Sequence, residues 1–141
     1  MTDTPHTGGC RCGAVRFSAT AAPHEVGYCH CHDCRRASGA PVSAFVCFRR
    51  EQLSFEGDTL KAFENGPVAR SFCGACGTPI AYVDDRLPDD IWITLGVMDQ
   101  PAAYKPTHHA HVREQLPFVH MPDSLPRHVK SSVPRPTEDT Q

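Results

Sequence analysis

The sequence has little of what would mark a membrane protein, a nucleic-acid binder or a helical bundle. Its longest apolar stretch, residues 40–48, already contains a proline and a serine. That is far short of the roughly 18 residues a spanning helix needs. Fourteen basic residues face sixteen acidic ones, for a formal net charge of -2. No basic surplus supports a general nucleic-acid surface. No segment keeps an apolar repeat at helical spacing over three turns. Residues 1–6 lack the basic and apolar regions of a signal peptide, so the expected compartment is the reducing cytoplasm, with no membrane association. Apart from its cysteine clusters the chain shows no internal repeat.

What is there is cysteine, unevenly placed. Seven of the eight lie in three tight groups: Cys10 and Cys12; Cys29, Cys31 and Cys34; Cys73 and Cys76. Eight cysteines in a secreted chain would invite a disulfide framework with 105 pairings. A disulfide scaffold spreads its cysteines to staple distant loops, whereas these sit in knuckles one or two residues apart, a spacing that lets two thiolates share an ion. A structural zinc takes four ligands, and a catalytic one takes three protein ligands with a fourth position open. Seven divides as four plus three, which predicts one closed site and one open one.

At 141 residues with a 40% hydrophobic fraction, the chain fits one ordinary domain. The apolar pattern is strand-like almost throughout. Val15, Phe17 and Ala19 alternate with Arg16 and Ser18, the period of a half-buried strand. Residues 42–48 are a β-branched and aromatic run suited to a central strand. Further strands are predicted at 53–55, 60–63, 68–72, 79–83 and 91–95, separated by turns at 57–58, 65–67 and 87–90. One short helical turn is predicted at 35–38, stopped by Gly39 and Pro41. The expected fold is all-β with little helix. Its domain should cover residues 8–126, with a flexible N-terminus over 1–7 and a proline-bearing disordered tail over 127–141.

The knuckle Cys73, Cys76, Gly77 is the most specific of the three, because the turn between two thiolates is followed by a residue that tolerates left-handed backbone. Cys10, Cys12 and Gly13 repeat that pattern. Spacing alone does not decide whether Cys10 and Cys12 join Cys73 and Cys76 or join Cys29 and Cys31. The middle cluster, Cys29, Cys31 and Cys34, is the functional candidate. An ion held by three thiolates is a modest Lewis acid, and its natural task is to hold an incoming thiol as thiolate, the nucleophilic form. Arg35 and Arg36 follow directly, and Arg11 is a third cation to offset the charge. The competing reading closes this site with a histidine from His108, His109 or His111. Cys47, inside an apolar run, reads as a buried small hydrophobe, and Trp92 reads as core. The adjacent histidines 108–111 read as strand or surface.

Gly9, Cys10, Cys12, Gly13 and Val15, then Cys29, His30, Cys31, Cys34 and Arg35 with Ala37, Ser38 and Gly39, then Phe72, Cys73, Cys76, Gly77, Thr78 and Pro79, resemble the glutathione-dependent formaldehyde-activating enzyme family. The resemblance implies an Mss4-like β-tent with two zincs. It places the structural zinc on Cys10, Cys12, Cys73 and Cys76 and the catalytic zinc on Cys29, Cys31 and Cys34. It further implies a carbon–sulfur lyase that forms or cleaves the hemithioacetal of formaldehyde, or another small aldehyde, with glutathione or a related thiol. Arg35 and Ser38 are the candidate glutathione contacts. Where the family often carries a tryptophan near a C-terminal Leu-Pro, this chain has Phe118. A zinc-stabilised binding module without turnover, or a redox sensor that releases metal on oxidation, would use the same cysteines.

Overall fold

The computed structural model describes residues 5–136. Strand β1 (His6–Gly9) pairs with β2 (Arg16–Ala19), and β2 with β5 (Leu53–Glu56), in a three-stranded antiparallel sheet. A second sheet holds seven strands: β3 (Glu25–Cys29), β4 (Ser43–Arg49), β6 (Leu60–Asn65), β7 (Val68–Cys73), β8 (Pro79–Asp84), β9 (Asp90–Thr94) and β10 (His109–Ala110). Its order is β10-β3-β4-β9-β8-β7-β6, antiparallel except where β10 meets β3. The single α-helix among the described residues, α1, spans His32–Ser38. No helix among the described residues is long and apolar enough to cross a membrane.

The period-2 pattern explains which way each strand faces. Phe17 and Ala19 of β2, Val46 and Phe48 of β4, Ala81 of β8, and Ile91 and Ile93 of β9 join Val15 and Met98 in one hydrophobic cluster shared by the two sheets, with Ile80 added where the β7–β8 register shifts. The residues between them face the other way. Phe45, Tyr82 and Trp92 line a cavity on the opposite face of the large sheet. Trp92 was expected in the core; it is buried, but it forms cavity wall, with Arg135 stacked 5.2 Å from its ring centre.

The predicted strands all form, shifted by a residue or two at their ends. Three are additional: β1, β3 and β10. The expected ends of the domain differ as well. β1 begins inside the segment expected to be flexible, and residues 127–136 lie along the sheet. The His128 amide donates to the His109 carbonyl (2.7 Å), the His111 amide to Lys130 (2.9 Å), and Ser132 Oγ to Glu25 Oε1 (2.6 Å). Backbone pairing beside β10 and side-chain anchors replace the apolar content that the tail lacks. Residues 137–141, also expected to be disordered, lie outside the described residues.

Asp84 ties this tail to the sheet. It is fully buried and accepts from the Arg86 guanidinium (2.9 and 2.8 Å), the Arg86 amide (3.0 Å), the Tyr82 hydroxyl (3.2 Å) and Arg135 Nε (3.4 Å). Burial alone would raise its carboxyl, but the Arg86 hydrogen bonds outweigh burial and hold it at about 2, against an ordinary 3.8. A carboxylate depressed by folding stabilises the protein above its unfolded value, and that contribution is lost as pH falls through the folded value. The gap is worth about 2 kcal/mol. Denaturant unfolding should therefore show stability falling between about pH 4 and pH 2, with Asp84→Asn removing most of that acid dependence. A variant whose acid profile parallels the parent's would assign the loss to another group.

Candidate metal centres and the adjoining cavity

The first cluster is built where the two sheets meet. Cys10 and Cys12 lie on the turn after β1, Cys73 ends β7, and Cys76 follows it before β8. Gly13 (φ 84°) and Gly77 (φ 82°) both adopt the left-handed conformation that lets each knuckle reverse behind its second cysteine. One donor atom from each of the four cysteines lies within 4.8 Å of all the others. The Cys10 and Cys12 sulfurs are 3.6 Å apart, and those of Cys12 and Cys73 are 3.8 Å apart. Tetrahedral bonds of about 2.3 Å to sulfur set a separation of about 3.8 Å, so the four donors fit a single zinc-sized ion. The Thr78 hydroxyl and amide, with the Cys12 amide, hold the Cys76 thiol down at about 5. The Thr59 hydroxyl, 3.3 Å from its sulfur, holds Cys73 below its usual range. Cys76 is thereby disposed to be a thiolate, the form that ligates metal.

The second cluster sits where β3 runs into α1. Cys29 closes the strand. Cys31 caps the helix, its sulfur accepting from the Cys34 amide at 3.2 Å. The first helical turn then brings Cys34 back to the same point, with its sulfur 3.6 Å from that of Cys29. The three donors again lie within 4.8 Å of one another. Among the described residues no further cysteine, histidine, aspartate or glutamate joins them. His30, between two of the cysteines, turns instead to His109, with 2.9 Å between Nε2 and Nδ1, and His109 in turn reaches Asp123 at 3.0 Å. Burial, then the neighbouring His109, pushes the His30 ring down to about 4, so it is neutral at physiological pH. His108 is occupied by Glu25 at 3.0 Å. The run 108–111 thus supplies no fourth donor to the cluster and instead fixes the backbone behind it.

Arg70 of β7 completes the surroundings of the three sulfurs. Its Nη2 donates to Cys34 Sγ (3.4 Å) and to Asp33 Oδ2 (2.8 Å), and its guanidinium lies 4.8 Å from the centre of the Tyr82 ring. Hydrogen bonds from Cys29 and Cys31, and then the Arg70 charge, hold the Cys34 thiol well below its usual range. All three cysteines open onto a cavity of about 370 Å³. Tyr28, Phe45, Tyr82 and Trp92 give it aromatic walls, and Arg70, Arg86, Arg113 and Arg135 give it positive charge balanced by Glu25, Asp33 and Glu114.

The two candidate ligand contacts predicted beside the cluster are placed elsewhere. Each helical residue turns about 100° from the last, and neither Arg35 nor Ser38 is among the cavity-lining residues. Ser38 Oγ donates to the Cys34 carbonyl (3.0 Å) and accepts from the Ala40 amide (3.1 Å), finishing the helix. Arg36 is exposed against His32, and Arg11 sits on the first knuckle, its amide donating to Thr78 Oγ1 (3.1 Å). Phe118 is 70% exposed and also lies outside the cavity lining. The cavity's cations come from β7, from the turn between β8 and β9, from the turn at residues 112–114 and from the tail. Only Arg70 left a sequence signal: it shares a strand side with Val68 and Phe72, where an unpaired charge would not be stable.

A small two-sheet β protein with a four-thiol cluster at the sheet junction, and a three-thiol cluster opening onto an aromatic, arginine-bearing cavity, defines a class of β protein with two candidate metal centres. Within that class the chain belongs to the glutathione-dependent formaldehyde-activating enzyme family, whose model matches residues 5–114. A Halomonas elongata protein bearing the same enzyme name is 31% identical over 58% of this chain, which spans 58% of that relative's length. A solved Rhodobacter sphaeroides protein shares the fold, with a TM-score of 0.56 at 20% identity, over 66% of this chain and 87% of its own.

Proposed function

We propose that this protein is a cytoplasmic, zinc-dependent carbon–sulfur lyase that joins glutathione, or a related thiol, to formaldehyde or another small aldehyde, and reverses that reaction. The observation that carries the reading is the three-sulfur cluster with no fourth donor among the described residues, facing a cavity large enough for a substrate. Family membership supports the same chemistry. In this reading Cys10, Cys12, Cys73 and Cys76 hold a structural zinc, and Cys29, Cys31 and Cys34 hold a catalytic one. A zinc held by these three thiolates would supply a Lewis-acidic position that favours the thiolate, the nucleophilic form, of a substrate thiol.

The chain's own residues do the rest. Arg70 spreads its charge over Cys34 and Asp33, offsetting the negative charge that gathers as a further sulfur approaches. Arg113, exposed on the cavity wall with no ion-pair partner among the described residues, is placed to take a substrate carboxylate in a bidentate contact. Tyr28, Phe45, Tyr82 and Trp92 give the remaining walls aromatic surface for the substrate to pack against. In the forming direction the substrate sulfur gives up its proton and its electron pair makes the carbon–sulfur bond. The carbonyl oxygen then takes a proton to become the hydroxyl of the hemithioacetal.

The test is the rate of exchange between glutathione plus formaldehyde and their adduct, followed by NMR with zinc-saturated protein. The parent should accelerate exchange above the buffer rate. Arg70→Met should slow the catalysed rate by about 10–100-fold, the usual cost of removing a partner that supports a metal ligand, and Arg70→Lys should recover part of it. Exchange at the buffer rate in the zinc-saturated parent would leave a binding module as the function.

A further inference from the structure

A third group of metal-type donors lies apart from both cysteine clusters. His24 precedes β3, Cys47 is in β4 and Asp90 opens β9, and one donor atom from each lies within 4.8 Å of the others. Strand pairing fixes them: the His24 amide donates to the Cys47 carbonyl at 3.0 Å, and Arg49 sits opposite Asp90 in the β4–β9 register. Cys47 is buried yet absent from the hydrophobic cluster formed by its neighbours Val46 and Phe48, because it points to the other face of the sheet. The expectation of a simple buried hydrophobe therefore does not describe its surroundings.

The distances discriminate between two readings. His24 Nε2 lies 3.5 Å from Cys47 Sγ and 3.4 Å from Asp90 Oδ1. As a hydrogen bond the second is long, since N–H···O contacts run about 2.7–3.2 Å. One ring nitrogen also carries either one proton or one lone pair, and serves two partners poorly. A nucleophile relay is excluded too: it uses opposite nitrogens of the ring, whereas both contacts here fall on the same one. As ligands of one ion the separations fall into place. Tetrahedral bonds of about 2.3 Å to sulfur and about 2.0–2.1 Å to nitrogen and oxygen set S···N near 3.6 Å and N···O near 3.4 Å, each to within roughly 0.1 Å of what is found. In the two cysteine clusters the sulfur separations of 3.6 and 3.8 Å lie within about 0.2 Å of the value such bonds set.

We infer that His24 Nε2, Cys47 Sγ and the Asp90 carboxylate form a third metal site, selective for a borderline-soft divalent ion such as zinc. The thiolate disfavours magnesium and calcium, which take oxygen ligands. Thiolate and carboxylate together neutralise the ion's two charges, and Arg49 Nη1, donating to Asp90 Oδ1 at 2.7 Å, orients the carboxylate. Burial pushes the Cys47 thiol up, with Asp90 and Glu25 adding to it, so without an ion the sulfur is an inert thiol; an adjacent dication reverses that balance. The His24 side chain is 35% exposed, which leaves the fourth position to water or a small ligand from solvent.

The test counts metal without reference to activity. Full-length protein is saturated with zinc, freed of excess by gel filtration and measured by atomic emission, for the parent, His24→Ala and Cys47→Ser. Each variant should retain one zinc fewer than the parent. His24→Ala combined with Cys31→Ser should retain two fewer, because the sites are separate. His24 is partly exposed and outside the core, so its variant carries the test even if Cys47→Ser fails to fold. A His24→Ala protein with the parent's zinc content would reduce the cluster to a hydrogen-bonded contact and overturn the inference.

Discussion

Replacing Cys73 with serine is expected to unfold the protein. Cys73 has no exposed surface, belongs to the hydrophobic cluster, and terminates β7 at the junction of the two sheets. Its sulfur is also one of the four donors that close the chain from Cys12 to Cys73. Apparent binding of a structural zinc is worth about 10–16 kcal/mol in small peptides, as large as the whole stability of a typical domain, about 5–15 kcal/mol. Cys76→Ser separates the two contributions, because Cys76 is exposed and packs against little. If the ion holds the sheets together, Cys76→Ser should unfold nearly as readily as Cys73→Ser, and a chelator should lower the parent's melting temperature in step with zinc release. A Cys76→Ser protein that melts with the parent would place the stability in the apolar core and remove the structural role from the four-thiol cluster.

What the sequence made legible was local. Alternation at residues 15–19 and the run at 42–48 located β2 and β4, because a strand that buries one face against a core must alternate. The knuckle cysteines were legible because two ligands one or two residues apart need only a turn. β3 was not, since residues 25–29 place glutamate and glycine among few apolar residues, and its stability comes from pairing with β4 and β10. The cavity's cations were illegible for a related reason. Arg70 reaches Cys34 from 36 positions away, and Arg135 reaches Asp84 from 51. Cys47 and Trp92 are buried as their neighbours suggested, but the hydrophobic residues flanking each in sequence face the opposite side of the sheet. Period 2 identifies a strand, but when both faces are covered it does not say which face holds the core and which the site.

Cys31→Ser is expected to abolish catalysis while leaving the fold intact. The two consequences follow from the two jobs of one sulfur. As the cap of α1, Cys31 accepts from the Cys34 amide, and serine is among the best residues for that position, so the helix should still start at His32. Cys31 is only partly buried and lies outside the hydrophobic cluster, so little packing is lost and the melting temperature should move by no more than a few degrees. As a metal donor, however, a serine hydroxyl does not replace a thiolate, and only two sulfurs remain. Loss of a supporting partner already costs about 10–100-fold; loss of a ligand should exceed that and bring adduct exchange to the buffer rate, with one zinc fewer per chain. Cys29→Ser should match it in activity while leaving the helix cap untouched. Full exchange activity in a folded Cys31→Ser protein would place the chemistry outside the three-sulfur cluster. Unfolding of that variant would instead give the second cluster a structural role equal to the first.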